Sequence, residues 1–252
     1  MTNRWTALAL VAVFTVIPAM TRADERPYAF TYEPTVSAAG EVELELYETL
    51  YQPFSGGSTS RSWVTQVEAG YGLTDRFDLS AYGVFRTTSA TSFEATAVKL
   101  RGRYKLLGSD APLELVLYAE VVKEVVDSEP WVLEGKVIFG RNYGRFAWAA
   151  NLIAEREFPK GGGSELSLGW SAGAAFELVR GLRLGAETFG ARAGAVDGPG
   201  VWKAWAGPTG SVLLPFLARG SVNSAWLTVG AGLGLNDASD RVRARAVLGC
   251  DF

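Results

Sequence analysis

From Gly40 to the end of the chain, apolar and polar residues alternate with a period of two. In GEVELELYETLY, Val42, Leu44 and Leu46 fall on one side while Glu41, Glu43, Glu45 and Tyr47 fall on the other. Successive side chains of a strand point to opposite faces, so the pattern predicts a strand lying between two unlike environments. The stretch YGLTDRFDLSAYGVF, Tyr71 to Phe85, extends the reading to a hairpin. Trp63, Thr65, Val67, Ala69 and Tyr71 oppose Gln66 and Glu68; after the GLTD corner, Phe77, Leu79, Ala81 and Phe85 oppose Asp78, Ser80 and Tyr82. Two alternating runs joined by a polar, Gly-containing corner predict antiparallel strands and a tight turn.

The same alternation predicts the rest. Val98, Leu100, Gly102, Tyr104 and Leu106 oppose the basic ladder Lys99, Arg101, Arg103 and Lys105; Leu113, Leu115, Leu117, Ala119 and Val121 oppose Tyr118, Glu120 and Glu124. Trp131, Leu133, Val137 and Phe139 oppose Glu134 and Lys136, and Phe146 to Ala154 oppose Ala147, Ala149, Asn151 and Glu155. Leu166 to Phe176 oppose Ser167, Gly169, Ser171, Gly173 and Ala175, and Leu182, Leu184 and Ala186 oppose Arg183 and Glu187. Val201 to Leu214 gives no clean face, because Pro208 and Trp205 fall on opposite sides. Leu227 to Leu235 oppose Thr228, Gly230, Gly232 and Gly234, and Val242 to Phe252 oppose Arg243, Arg245 and Asp251. The total is about twelve strands, an even number as in single-chain bacterial barrels.

A soluble sheet would turn its apolar face inward and cover it with a second layer. Here each strand carries about five apolar positions, roughly a bilayer's depth for a tilted strand, and the sequence offers no second sheet or helix to cover them. The predicted fold is therefore an all-β, up-and-down antiparallel transmembrane β-barrel with lipid outside and charges inside. Aromatic residues near strand ends predict two interfacial belts, with Trp63, Trp131 and Trp202 at one end and Tyr71, Phe77, Tyr143, Phe146 and Trp226 at the other.

Composition sharpens this picture. Arg4, an apolar run from Trp5 to Ile17, Pro18, and small residues at Thr21 and Ala23 describe a signal peptide over residues 1–23, cleaved after Ala23. No Cys stands at that junction for acylation, and the only Cys, Cys250, has no intrachain partner for a disulfide. Taking Arg4 and Arg22 from the 24 basic residues leaves 22 against 27 acidic ones, a net charge of −5. That balance disfavours nucleic acid as a partner. The chain has no histidine, so a Ser-His-Asp arrangement cannot be built and metal sites lose their commonest ligand; an enzyme, a cofactor or a metal is not expected.

The sequence at this point resembles bacterial outer-membrane β-barrels over nearly all of Gly40 to Phe252. YGLTDRFDLS is similar to a periplasmic turn of such proteins, and the ending with Leu248, Cys250 and Phe252 is similar to the signal read by the barrel-assembly machinery, with Cys250 where an aromatic residue is more usual. GEVELELYETLY, YGLTDRFDL and the Ala206–Pro208 tripeptide AGP further resemble the phenol-degradation (meta-pathway) outer-membrane family. The resemblance implies export to the outer membrane of a Gram-negative bacterium and passage of small, aromatic or hydrophobic solutes; it supplies no site residue.

Two glycine clusters have bland readings. The Gly230–Gly234 stretch GAGLG has its glycines on one strand face and no helix after it, unlike a dinucleotide loop. The triplet at Gly161–Gly163 lacks a following Lys and reads as a hairpin loop. The basic ladder is either a rail for anions or a partner of Asp78 on one side and Glu114, Glu120 and Glu124 on the other. Arg243 and Arg245 are placed to meet Glu43, Glu45 or Glu48 across the closure of the cylinder.

The expected lumen lining is thus Glu43, Glu45, Glu68, Asp78, Lys99, Arg101, Arg103, Lys105, Glu120, Glu124, Glu134, Lys136, Arg183, Glu187, Arg243 and Arg245. It is lopsided, with long charged side chains on strands up to Phe139 and mostly Gly, Ala, Ser and Thr afterwards. Twelve strands tilted by about 40° enclose a backbone radius on the order of 12 Å, so side chains decide whether a path exists. The outward loops, around 53–60, 86–92, 126–130, 158–164, 191–200 and 236–240, are too short to fold in as a substantial constriction. Either an off-centre channel follows the small-residue wall, or residues 24–39 fold in, with Tyr28, Phe30 and Tyr32 against that wall, while 40–252 form the barrel. The functional alternatives are a narrow channel for small solutes and a closed structural or surface-interaction barrel.

Overall fold

The computed structural model describes residues 26–52, 61–89, 92–125, 130–159, 165–192 and 200–252. The segment read as a signal peptide lies outside the described residues, as do most of the predicted outward loops. Twelve strands close on themselves: β1 (Val42–Gln52), β2 (Ser62–Thr74), β3 (Phe77–Ser89), β4 (Ser92–Leu107), β5 (Glu114–Glu124), β6 (Trp131–Tyr143), β7 (Phe146–Phe158), β8 (Glu165–Val179), β9 (Leu182–Arg192), β10 (Trp202–Leu213), β11 (Ser224–Gly234) and β12 (Val242–Asp251). Each pairs antiparallel with its sequence neighbour, and β1 pairs with β12 from Glu43↔Asp251 to Gln52↔Val242.

One end of the cylinder holds the beginning of β1, the end of β12 and the turns after even-numbered strands. Its turns carry Gly144, Gly181 and Gly220 with φ of 62°, 77° and 65°, a left-handed backbone that glycine adopts without steric cost. The opposite end carries the connections that the sequence reading places outward.

Parity settles the faces. Leu100, Leu152, Leu184 and Leu233 each expose half or more of their surface to the exterior. Their sequence neighbours Arg101, Asn151 and Gly232 are buried on the inside. The strand that the sequence left without a clean face runs from Trp202 to Leu213, with Trp205, Thr209 and Ser211 buried inside and Pro208 outside. The β10–β11 ladder skips Gly207 and Pro208, because proline has no N–H to donate to Ala231. On its other side β10 stays in register with β9 throughout.

Two expectations are corrected. Trp226 belongs to no outer belt: it is 1 % exposed and shares its inward parity with Thr228. Its register partner is Gly249, where an added Cβ would run into the indole, so the missing side chain is what makes room. The wall built from β7 to β11 is also less uniformly small than predicted, since Phe189 and Trp205 join Trp226 in facing inward and are buried.

Replacing Gly249 by Val is expected to expel the Trp226 indole at a cost of about 1–3 kcal/mol, the usual range for overpacking. The check is urea unfolding together with the Trp226 fluorescence, obtained as the difference from Trp226→Phe.

Candidate functional site: the occupied lumen

Glutamate, arginine and tyrosine on one strand face have nowhere to go but the bore, and there they pair across strands. Arg103 grips Asp78 on the neighbouring β3 with Nε at 3.0 and 3.1 Å and Nη2 at 2.7 Å, a two-pronged contact. Arg101 reaches past β3 to Glu68 at 2.6 Å and donates to Ser80 at 2.6 Å and to the Tyr82 hydroxyl. Lys99 meets Glu120 at 3.1 Å, and Lys136 meets Glu134 at 2.9 Å. Two of these, Arg103 with Asp78 and Lys99 with Glu120, are pairs that the structural reading of the basic ladder names; Arg101 takes Glu68 instead. Glu114 is engaged instead by Arg141, at 3.8 Å.

The closure pairs predicted for β12 do not form. The register sets Arg245 opposite Thr49 and Arg243 opposite Tyr51, and the two-residue period turns Glu48 to the other face, where it accepts from Thr65. Arg245 donates to Thr49 Oγ1 at 2.9 Å, while Arg243 bonds Asp240 at 2.7 Å and lies over the Trp205 ring at 3.8 Å. Of the predicted lining, Glu45, Glu68, Asp78, Arg101, Arg103, Glu120 and Glu187 are buried. Glu43, Lys99, Lys105, Glu124, Glu134, Lys136, Arg183, Arg243 and Arg245 are half-buried.

Residues 26–39 run inside the ring, entering at the end where β1 begins. Ala38 presses on Gly72 so closely that an added Cβ there would collide with the Ala38 carbonyl. The Ser37 amide donates to Asp78 at 2.9 Å, and Val36 packs on Val116 and Ile138. Further in, Asn151 treats Tyr32 as a neighbouring strand would: Tyr32 N–H donates to Oδ1 and Nδ2 donates to Tyr32 C=O, both at 2.8 Å. Ser171 donates to the same Oδ1 at 2.9 Å and fixes the amide.

At the bend over residues 29–31, the Glu187 carboxylate accepts three successive amides, from Ala29 at 2.8 Å, Phe30 at 2.9 Å and Thr31 at 2.8 Å. Consecutive N–H groups converging on one anion form a local concavity of positive charge. The carbonyls turn the other way: Thr228 donates to Arg26 C=O, Thr209 to Pro27 C=O at 3.3 Å and Arg245 to Ala29 C=O at 3.2 Å.

The three aromatic side chains part company at this bend. Tyr28 lies on the small-residue wall, against Ala149, Ala175 and Gly173, where a Cβ would come within 2.6 Å of the ring. Phe30 stacks on Phe189 at 4.2 Å, which in turn stacks on Trp205 at 5.4 Å. Tyr32, expected on the same wall, crosses to the charged one instead. Its ring meets Tyr118 at 5.4 Å and lies under Lys136 at 4.3 Å and Arg26 at 4.4 Å. The cause is the bend itself, which Glu187 holds by gathering amides. Burial opposes ionisation of Tyr32, but Lys136, Arg26 and Arg101 outweigh it and lower the phenol below its ordinary value.

The Arg26 side chain also reaches the charged wall, where it meets Glu45 at 3.3 Å and Tyr47 at 2.7 Å, while its carbonyl accepts from Thr228 on β11. Tyr118 stands on β5 and Thr228 on β11, six places apart in a ring of twelve. The segment therefore touches opposite walls. A polar cavity of about 350 Å³, counting its open mouth, remains beside it between Arg26, Glu43, Arg103 and Trp226. The carboxylates of Glu43, Glu45 and Glu68 lie within 4.8 Å of one another. Arg26 and Arg101 already neutralise two of them, so they read as part of the ion-pair network.

Charge identifies only part of the lining: the inward Asn151, Thr209, Thr228, Phe189 and Tyr47 carry none. Their inward parity was the available signal.

No protein-family model matches the chain, and no curated protein matches it. Among solved structures, it is similar to the COG4313 outer membrane channel from Pseudomonas putida F1, with 13% identity, a TM-score of 0.57, and coverage of 86% of this chain and 97% of that one. It is also similar to the NanC porin, with 9% identity, a TM-score of 0.54 and coverage of 83% and 98%. The KdgM porin gives 8% identity, a TM-score of 0.50 and the same coverage. At these identities the shared feature is the barrel fold.

Removing one partner of a buried ion pair strands the other. Glu68→Leu is expected to destabilise by about 3–5 kcal/mol, and adding Arg101→Leu to recover most of the loss. A double-mutant cycle by urea unfolding, with heat-modifiable electrophoretic migration as the test of folding, measures the coupling.

Proposed function

We propose that the protein is an outer-membrane channel for small solutes whose bore its own residues 26–39 occupy in the resting state. The observation that carries this reading is the segment's reach between opposite walls of a charged bore, held there by side-chain contacts and not as a strand of the ring. A polar interior inside a closed ladder suits water and solutes. An exterior of exposed Leu and Val suits hydrocarbon. The similar solved structures are described as a channel and porins, which supports transport.

Residues 1–23 act as the export signal in this reading, and the strand ending at Phe252 is what the barrel-assembly machinery recognises. The working location is the outer membrane of a Gram-negative bacterium, with no catalytic step, cofactor or nucleic acid involved. Aromatic solutes fit best. The resemblance to the phenol-degradation family implies them, and Phe189, Trp205 and Tyr51, with Arg243 over the last two at 3.8 and 4.8 Å, line the outer half of the bore with π faces and a cation. Dense ion pairing and the occupied lumen favour a second reading, a permanently closed structural barrel.

The lipid-facing assignment is checked by Leu100→Arg, which is expected to cost about 2–4 kcal/mol near the bilayer midplane. Unchanged stability of the variant in lipid vesicles would put Leu100 somewhere other than hydrocarbon. Planar-bilayer recordings test transport. The intact protein is expected to give small stepwise currents, and deletion of Asp24 to Ala38, in a variant that still shows heat-modifiable migration, to give larger ones. Silence of both forms establishes the closed barrel; equal currents remove the occluding role of the segment.

A further inference from the structure

We infer that the inner wall is a receptor for a peptide held in a bend at residues 29–31, occupied in cis by residues 26–37, which a free peptide of the same sequence enters in trans. The inference rests on the occupied-bore reading and adds the chemical class of ligand that the wall accepts.

The argument comes from which atoms the wall engages. Five inward side chains on five different strands, Asn151 (β7), Glu187 (β9), Thr209 (β10), Thr228 (β11) and Arg245 (β12), all bond to main-chain groups of residues 26–32. They take four amides, from Ala29, Phe30, Thr31 and Tyr32, and satisfy four carbonyls, on Arg26, Pro27, Ala29 and Tyr32. A wall shaped only to support its own strands has no need of such a set. A buried carboxylate that gathers three successive amides, and an amide side chain that bonds both the N–H and the C=O of one residue, recognise a bent peptide backbone.

The wall is relieved where side chains of the segment come close. An added Cβ at Gly173 would lie 2.6 Å from the Tyr28 ring, and one at Gly230 would lie 2.6 Å from Ala29 Cβ. Within the segment, Thr31 is buried but its hydroxyl has no hydrogen-bond partner among the described residues, so at that position the wall engages the amide and leaves the side-chain oxygen alone. Side chains contribute at Arg26, Phe30 and Tyr32, which sets a preferred sequence on top of the backbone recognition.

The junction makes the test possible in the full chain. Ala38, Ala39 and Gly40 are exposed at the end where the segment enters, so a protease site inserted between Ala39 and Gly40 leaves the protein to fold with its segment in place and to be cut afterwards. The cut segment is expected to stay with the barrel through gel filtration, and a fluorescent copy of residues 26–38 in excess is expected to replace it.

A copy with Thr31→Ala should enter about as well as the parent. One N-methylated at the Phe30 and Thr31 nitrogens should bind at least about tenfold more weakly, as should the parent peptide to a Glu187→Ala barrel, because bonds to an ionised partner are lost. Failure of the copy to enter, whether the cut segment drifts away or is never replaced, overturns the inference. Equal entry of the N-methylated copy overturns it as well. Conductance of the cut protein is read separately: larger currents on washing the segment out, without re-entry of the copy, leave the channel reading standing and this one fallen. Re-entry without any change in current does the reverse.

Discussion

Closure of the hydrogen-bonded ladder between β1 and β12 is the constraint on which the other features rest. A sheet without edges gives each strand backbone group a partner within the ring and leaves every strand side chain a choice of two environments. Parity then decides, residue by residue, which is which. The two sides of GEVELELYETLY are hydrocarbon-compatible and ionised for this reason, and a slip of one residue would invert both at once. The gap in the β10–β11 ladder opposite Pro208 is tolerated because β10 keeps its full register with β9 on the other side.

An interior filled with charged side chains is costly unless each finds a counter-charge or a hydrogen bond. Much of that cost is met within the wall by Arg103 with Asp78, Arg101 with Glu68 and Lys99 with Glu120. Glu187 and Asn151 are different, because among the described residues their bonds run mainly to the backbone of residues 29–32. Without that segment, water would have to satisfy them. The segment and the small-residue wall are thus complementary. Where Gly173, Ala149 and Ala175 give up volume, Tyr28 supplies it.

Strand period, strand number and the direction of nearly every side chain were legible in the sequence because a membrane barrel imposes one rule along its whole length. Two differences, at Trp226 and at Arg245, come from judging by position along a strand where face and register decide. Trp226 lies near a strand end, the position of an interfacial belt, yet its parity matches that of the inward Thr228. Arg245 was paired with β1 glutamates, although only alignment with Thr49 could say which side chain stands opposite. The ion pairs between adjacent strands were foreseeable from the roughly 4.8 Å strand spacing. The Arg101–Glu68 pair, which passes over β3, was not. The bend at residues 29–31 was also beyond the pattern, for it depends on one carboxylate from β9 reaching three amides 156 to 158 residues away in sequence.

The two sets of hydrogen bonds in this molecule differ in what replaces them when they break. A ladder bond facing hydrocarbon has no substitute, and its loss leaves unsatisfied groups at a cost of several kcal/mol each. A bond between the segment and the wall is exchanged for bonds to water once the bore floods, so each contributes only about 0.5–1.5 kcal/mol net, somewhat more where Glu187 is the acceptor. The contents of the bore are therefore held far less firmly than its wall. Water can take over the bonds that hold the segment, whereas hydrocarbon offers nothing to take over those that hold the cylinder.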